Sequence, residues 1–141
     1  MKLVYGACFY PDPENAGAYL VVVPDLPGCS TWGSNLADAI VMAIDAASGW
    51  VLDELEGGKD IPNASPLAEI KLDEDMGHGF VNAIVLDMDE YAEKYGNKAV
   101  RKNVTIPNWL NTKAEQADVN FSHVLQQALI ELLGFSSRRN V

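Results

Sequence analysis

The 141-residue chain has 20 Asp or Glu against 10 Lys or Arg, for a formal net charge of −10, and 48% of its residues are hydrophobic. This length and composition are typical of a globular protein with two small domains. The sequence shows no signal peptide, and its apolar runs fall far short of the roughly 20 residues of a membrane span, so we expect a cytoplasmic protein with no membrane segment. Cys8 and Cys29 are too few for a disulfide framework, and we predict that both are buried free thiols.

Three short strands are predicted at the start of the chain. Residues 3–10 alternate loosely and are rich in aromatic side chains, which favours a strand. A turn loop follows, and residues 18–23 then form a continuous apolar run of strand length. Two prolines and two glycines within 24–33 make a tight link into a third strand around 29–32.

A long amphipathic helix is predicted from Asn35 to about Glu56. Asn35 is a favourable N-cap, and Asp38 in the first turn complements the helix dipole. Gly57 and Gly58 end the helix. The expected buried stripe consists of Leu36, Ala39, Ile40, Ala43, Ala47, Trp50 and Val51.

After this helix the sequence predicts one more strand and a second, short helix. Residues 59–77 form a polar loop, with a short strand expected near 67–71. A longer strand is predicted over 79–87. Residues 88–97 are acidic and contain tyrosine, and they favour a short helix that leads to a linker.

The motifs of this first part of the chain resemble those of HicB-type antitoxins. The matching residues are Gly17-Ala18-Tyr19, Pro24-Asp25-Leu26-Pro27-Gly28-Cys29, Thr31, Gly33 and Asn35-Leu36-Ala37-Asp38-Ala39, followed by Pro62 and Ser65. The resemblance implies a partial RNase H-like fold without nuclease activity, which binds and blocks HicA, a small basic toxin that cleaves mRNA. It also implies a C-terminal DNA-binding domain, either a helix-turn-helix or a ribbon-helix-helix.

The C-terminal part opens with a predicted strand whose two faces differ. Alternate residues of a strand point to opposite faces, and one face here is apolar, with Val100, Val104 and Ile106. The other face carries side chains that can hydrogen-bond base edges, namely Arg101, Asn103 and Thr105. Because a lone strand cannot satisfy its backbone hydrogen bonds, we expect it to pair with the same strand of a second copy. Such a two-stranded ribbon fits the major groove of B-DNA. Lys102 lies on the apolar parity and is interpreted as a peripheral phosphate contact or a solvated side chain.

Two helices are predicted after Pro107. The first, over 108–117, has one apolar stripe. Residues 118–121 form a break, and Ser122 is predicted as the N-cap of a leucine-rich helix that ends at Gly134. Free N–H groups at the start of this second helix can hold a DNA phosphate.

These elements resemble the ribbon-helix-helix family of DNA-binding domains. The resemblance rests on the alternating strand, the Ile106-Pro107 junction and the Asn120-Phe121-Ser122 start of the second helix; that family often has Gly where this chain has Asp118. It implies an obligate homodimer that presents the polar parity of its strands to operator DNA. The predicted DNA-binding residues are Arg101, Lys102, Asn103, Thr105 and Ser122. The alternative is a helical hairpin with an edge strand that only dimerises.

Charge divides the chain at the predicted domain boundary, Gly96-Asn97-Lys98. Residues 1–97 hold four basic and 17 acidic residues, a net charge of −13, whereas residues 98–141 hold six basic and three acidic residues, a net charge of +3. An acidic domain is repelled by nucleic acid and is complementary to a basic protein. This division of charge agrees with what the two resemblances imply, namely an α+β antitoxin with a β-β-β-α-β domain over 1–97 that captures a HicA-like toxin and a ribbon-helix-helix domain over 98–141 that represses its own operon. Candidate toxin contacts are the clusters Asp53-Glu54-Glu56, Asp73-Glu74-Asp75 and Asp87-Asp89-Glu90.

Two other classes of function use residues that this sequence also contains. A metal-dependent nuclease would need carboxylates that hold two metal ions, and the candidates are Asp25, Asp38, Asp45 and Asp87. No carboxylate lies within 3–10, where an RNase H-like fold places its first ligand, so we predict neither catalysis nor a metal or cofactor. A ligand- or metal-responsive repressor would draw on His78, His123, Cys8 and Cys29, which show no metal-ligand spacing.

Overall fold

The computed structural model describes residues 1–96 and 98–135, and it divides into two compact units, Met1–Ala99 and a second unit that begins at Val100. The first unit contains β1 (Lys2–Pro11), β2 (Tyr19–Val22), β3 (Ser30–Gly33), α1 (Leu36–Glu56), β4 (Phe80–Asp87) and α2 (Met88–Tyr95). The second contains α3 (Asn108–Gln116) and α4 (Phe121–Leu132). Asn97 of the predicted boundary lies outside the described residues. Arg138 and Arg139, two of the six basic residues counted in 98–141, also lie outside them.

The four strands form one antiparallel sheet in the order β3-β2-β1-β4. The long strand β1 pairs Phe9 with Val21 of β2 and with Phe80 of β4. Alternate side chains of the sheet point toward α1, including Tyr5, Phe9, Val21, Ile84 and Leu86, and they form the core with buried residues of α1 such as Val51. The predicted order of three strands, a helix and a fourth strand is confirmed.

Helix α1 begins as predicted and buries most of the predicted stripe. The side chain of Asn35 accepts a hydrogen bond from the Asp38 N–H at 2.8 Å, which confirms the N-cap. The predicted burial of Ala39, Ala43, Ala47 and Val51 is confirmed, and Ser48 and Leu52 are buried as well. Leu36 is exposed, and Ile40 and Trp50 are half-buried, because they lie beside the row of alanines that faces the sheet directly.

The loop that follows α1 forms no strand over 67–71, so that prediction is wrong. It makes two single 3₁₀ turns instead, Leu67–Glu69 and Glu74–Met76. Leu67 and Ile70 pack over Gly6 on the sheet face opposite α1, where a methyl group on Gly6 would overlap Ile70 Cδ1. These apolar side chains therefore cover the sheet and do not extend its edge.

In three of the helices, the residue directly after the C-cap has a left-handed backbone conformation. These residues are Gly58, Asp118 and Gly134, with φ of +71°, +55° and +81°. After α3, the Val119 N–H donates to the Ala114 carbonyl at 3.1 Å and the Asp118 N–H donates to the Glu115 carbonyl at 3.0 Å, the bond pair of a Schellman motif. Asp118 thus occupies a backbone position that favours glycine.

The N-cap of α4 is Asn120, and the prediction of Ser122 as the cap is wrong. Asn120 Oδ1 accepts the His123 N–H at 3.1 Å, and Ser122 is the second residue of the helix. The left-handed Asp118 ends α3 tightly, so the chain can begin α4 two residues earlier than expected. Asparagine is at least as favourable as serine at this position.

Residues 99–107 form no strand in the single described chain. Pro107, the residue before α3, has an extended backbone with φ −57° and ψ 142°. A strand in this segment needs a hydrogen-bonding partner, so pairing between two copies stays a prediction.

We expect the close approach of α1 to β3 to tolerate no side chain at Gly33. A methyl group there would overlap the backbone N and Cα of Ala39 in the first turn of α1. Gly33→Ala should lower the free energy of unfolding by about 1–3 kcal/mol or more, measured by chemical denaturation. The matched control Ser30→Ala, at an exposed position of the same strand, should change it by no more than about 0.5 kcal/mol. An unchanged midpoint for Gly33→Ala would show that α1 lies farther from the sheet.

The turn between α3 and α4 predicts opposite results for two substitutions of one residue. Asp118→Gly should leave stability unchanged or raise it by up to about 1 kcal/mol, because glycine adopts a positive φ without a steric penalty. Asp118→Val should cost about 1–2 kcal/mol, because a β-branched side chain is strained there. Thermal unfolding of the full chain measures both, and equal melting temperatures for the two variants would contradict the left-handed turn.

Candidate functional site

The side chains predicted to contact DNA are all exposed. Four of them, Arg101, Lys102, Asn103 and Thr105, lie in the continuous exposed segment 100–107. Ser122 is exposed in the first turn of α4. All five are therefore accessible to a partner, and their presentation on a two-stranded ribbon stays a prediction.

The second unit has no buried residue among its described positions, 100–135. Its large apolar side chains include Trp109, which is 67% exposed, and Leu132, which is 79% exposed. The others with more than half of their surface exposed are Val100, Val104, Val124 and Leu133. Over 100–135 no apolar core forms that would offset the entropy lost on ordering the chain, and an exposed apolar surface of this size is typical of one that a partner covers.

The carboxylates that were candidate metal ligands do not come together in the structure, and most of them accept local hydrogen bonds. Asp25 accepts the N–H and the hydroxyl of Ser65 at 2.8 and 2.7 Å, which ties the loop after α1 to the core. Asp38 accepts hydrogen bonds at the start of α1, and Asp87 caps α2. Within residues 1–96 and 98–135, no three side chains of His, Cys, Asp or Glu come together as a metal-binding group.

The remaining candidate ligands and nucleophiles are also explained locally. Cys8 and Cys29 are buried free thiols, as predicted, and burial raises the pKa of both. A raised pKa keeps these thiols protonated and therefore weak as nucleophiles and ligands. His78 is exposed in a bend, and His123 is exposed at the start of α4.

One groove of the first unit combines apolar and acidic side chains. It lies between α1, β4 and α2 and has a volume of about 450 Å³. Val41, Ile44 and Val85 supply apolar lining, and the carboxylates come from Asp45, Asp87 and Glu90. We call this feature the α1–β4–α2 groove.

Two tyrosines of α2 complete the α1–β4–α2 groove. The rings of Tyr91 and Tyr95 lie 4.7 Å apart at an interplanar angle of 43°. Lys94 Nζ lies 5.2 Å from the ring centroid of Tyr95, a distance typical of a cation–π contact. Burial, and after it the negative charge of Asp45, raises the pKa of Tyr91, so its hydroxyl remains protonated at neutral pH.

The family of the chain follows from its match to a family model. The model of the HicB-like antitoxin of bacterial toxin–antitoxin systems matches residues 5–128, which include the four-stranded sheet and α1 to α3. This chain belongs to the HicB-like antitoxin family. The predicted resemblance to HicB-type antitoxins is confirmed, and proteins of this antitoxin family are not enzymes.

Three relatives illustrate the extent of this similarity. An uncharacterized 14.9 kDa protein in the rep–hol intergenic region of Haemophilus phage HP1 is 28% identical over 114 residues, which are 81% of this chain and 80% of the phage protein. A chain in a toxin–antitoxin complex from Streptococcus pneumoniae is 26% identical with a TM-score of 0.60, over 93% of this chain and 99% of that one. The Burkholderia pseudomallei antitoxin HicB is 25% identical with a TM-score of 0.55, over 93% of this chain and 98% of its own.

The structure gives physical reasons for some of the motif residues that carried the resemblance. At Gly33 there is no room for a side chain because α1 lies against it, Asn35 caps that helix, and Asp25 and Ser65 form one hydrogen-bonded pair.

The ribbon-helix-helix character of the HicB-like antitoxin's second unit stays a prediction. None of the helices in its described residues is long and apolar enough to cross a membrane.

The α1–β4–α2 groove is not evident from the sequence. The sequence predicts Asp87 and Glu90 as candidate toxin contacts and offers Asp45 only as a candidate metal ligand. It assigns no role to the tyrosines of α2. Three elements that are distant in sequence form this concavity, so no local spacing of residues indicates it.

Proposed function

We propose that this HicB-like antitoxin neutralises a small basic HicA-type toxin that cleaves mRNA, and that it represses its own operon by binding operator DNA as a homodimer. The observation that carries the proposal is the opposite charge of the two parts of one chain: −13 over residues 1–97 and +3 over 98–141. Each part suits a different partner, one basic and one a polyanion.

The acidic first unit is the part proposed to capture the toxin. A ribonuclease must present a positive surface to RNA, and a strongly acidic domain attracts such a surface and speeds the encounter. The structure from Streptococcus pneumoniae that this chain resembles is a toxin–antitoxin complex, which supports the same assignment. By covering the surface with which the toxin binds or cleaves RNA, the first unit would inactivate it.

The segment before α3 is the part proposed to read DNA. Arg101, Asn103 and Thr105 share one parity, and they are residue types that hydrogen-bond base edges. Paired with its copy across a two-fold axis, the segment would form a ribbon that fits the major groove. Each good bidentate contact to a base contributes on the order of 1–3 kcal/mol of discrimination.

Contacts to phosphate would hold the ribbon in its register. The start of α4 leaves N–H groups without intrahelical partners, and the exposed Ser122 hydroxyl lies beside them. Lys102, at the edge of the ribbon, would add a further phosphate contact. These contacts position the protein and carry no sequence information.

Dimerisation follows from the missing core of the second unit. Its exposed apolar side chains on α3 and α4 need cover, and an identical surface across a two-fold axis provides it. The homodimer would then carry one DNA-binding domain, formed by both chains, and two toxin-capturing domains. This arrangement lets the amount of toxin change the occupancy of the operator.

We expect the two activities to be separable by Asn103→Ala. The substitution should lower operator affinity at least about tenfold, since one base contact is lost, and it should leave protection of cells against the toxin unchanged. Gel shift on the DNA upstream of the gene and co-expression with a HicA-type toxin, sought in the neighbouring reading frame, measure the two effects. The matched control is Asn63→Ala, an exposed asparagine of the first unit.

Either of two results would contradict this account. Loss of toxin protection in Asn103→Ala would show that the two activities are not carried by separate units. A full chain that binds its upstream DNA but gives no protection against the neighbouring protein would favour a ligand-responsive repressor.

If the second unit forms the homodimer, we expect substitutions of two similarly exposed leucines to have different effects on dimerisation. Leu129 of α4 is 46% exposed and Leu55 of α1 is 40% exposed. Leu129→Glu should convert the dimer to a monomer in analytical ultracentrifugation, because a charge would enter the proposed dimer interface. Leu55→Glu should leave the dimer intact. A wild-type chain that remains monomeric at all concentrations would overturn the proposed interface.

A further inference from the structure

The geometry points to the α1–β4–α2 groove as the place where the antitoxin receives a lysine or arginine side chain from the basic toxin. This inference rests on the proposed capture of a basic toxin and names the surface that performs it. The occupant is a cationic side chain projecting from a folded basic protein.

The apolar part of the groove is exposed in the single chain. Val41 is 62% exposed and Val85 is 51% exposed, although both lie beside well-packed elements. Tyr95 leaves almost half of its surface uncovered as well. Apolar side chains gathered in one concavity are typical of a surface that a partner covers, and they suit the aliphatic stem of a lysine or arginine.

The charge of the groove selects a cationic partner. Asp45, Asp87 and Glu90 contribute three carboxylates, and Lys94 is the single cation in the lining. Asp45 is close enough to Tyr91 to raise the pKa of its hydroxyl. A guanidinium or ammonium group in this concavity would therefore meet an excess of negative charge, and the toxin that covers the groove would exclude water from it and strengthen the ion pairs.

The tyrosines of α2 show that a cation fits beside them. Lys94 already lies over the Tyr95 ring, so the ring accepts a positive charge at cation–π distance. In the free antitoxin Lys94 neutralises part of the groove. Lys94 would repel a cation from the toxin. Lys94 should therefore lower the affinity for the toxin, whereas the carboxylates of the groove should raise it.

A second concavity on the other side of the sheet does not offer the same chemistry. Its lining includes Leu20, Val22, Trp32 and Met76 and contains no carboxylate. The indole N–H of Trp32 already donates to Asp12 at 2.8 Å. Charge complementarity with a basic toxin therefore favours the α1–β4–α2 groove.

The test measures binding of full-length antitoxin variants to a purified small basic HicA-type toxin, sought in the neighbouring reading frame, by isothermal titration calorimetry. Asp45→Lys and Glu90→Lys should each weaken binding by about tenfold or more, and Tyr95→Ala should weaken it severalfold. Lys94→Glu should strengthen binding severalfold, a gain that misfolding cannot produce. The matched control is Glu69→Lys, a charge reversal at an exposed acid outside the groove, which should change affinity less than about threefold.

The outcomes separate this inference from the proposed function. If the wild-type chain does not bind the toxin, both fail. If it binds and the groove variants bind equally well, or Lys94→Glu weakens binding, the groove assignment is overturned while toxin capture stands. A groove variant that changes the oligomeric state would show that a second copy of this chain covers the groove, which also overturns the assignment. Where Asp45→Lys does not fold, Asp45→Asn replaces it and should weaken binding in the same direction.

Discussion

The structure of the first unit depends on how closely α1 can lie against the sheet. Ala39, Ala43 and Ala47 form a row at a spacing of four residues, and Gly33 of β3 presents no side chain to the start of that row. Small residues on both sides bring the helix backbone near the strands, so Tyr5, Phe9 and Ile84 can fill the space around it. The helix then fixes the position of α2, because Gly49 of α1 leaves room for the Tyr91 hydroxyl. A larger residue in this row would displace both helices.

The close packing of the core has a consequence at the surface. With its small residues turned inward, α1 keeps Val41 and Asp45 on its outer side, where α2 and β4 add tyrosines, carboxylates and Val85. The fold thus produces a groove whose apolar lining and acidic charge suit the stem and the head of one cationic side chain. The same unit carries most of the negative charge of the chain, so long-range attraction and the proposed local contact act in the same direction.

The second unit is organised by the opposite condition, an apolar surface without a core. Two short helices joined by a left-handed turn at Asp118 expose leucines, valines and a tryptophan that cannot bury one another within one chain. The segment before α3 likewise has backbone groups that need a partner strand. A second copy would satisfy both needs at once, and it would place two sets of Arg101, Asn103 and Thr105 side by side. In this proposal, DNA binding and dimerisation are one structural event.

Some features of this protein were determined by local sequence alone. The β-propensity of the strands in the first unit, the Asn35 cap and the glycines after α1 act over a few residues, and these predictions were confirmed. The family was recognisable because its motif residues have local roles, as at Gly33. The cap of α4 is also local, but it depends on the backbone of the turn, since Asn120 caps the helix once Asp118 has ended α3. Tertiary contacts decided the rest: Leu67 and Ile70 cover Gly6 and do not form a strand. The α1–β4–α2 groove could not be predicted, because it joins Asp45, Val85 and Tyr95, and only the folded sheet and helices bring residues so distant in sequence together.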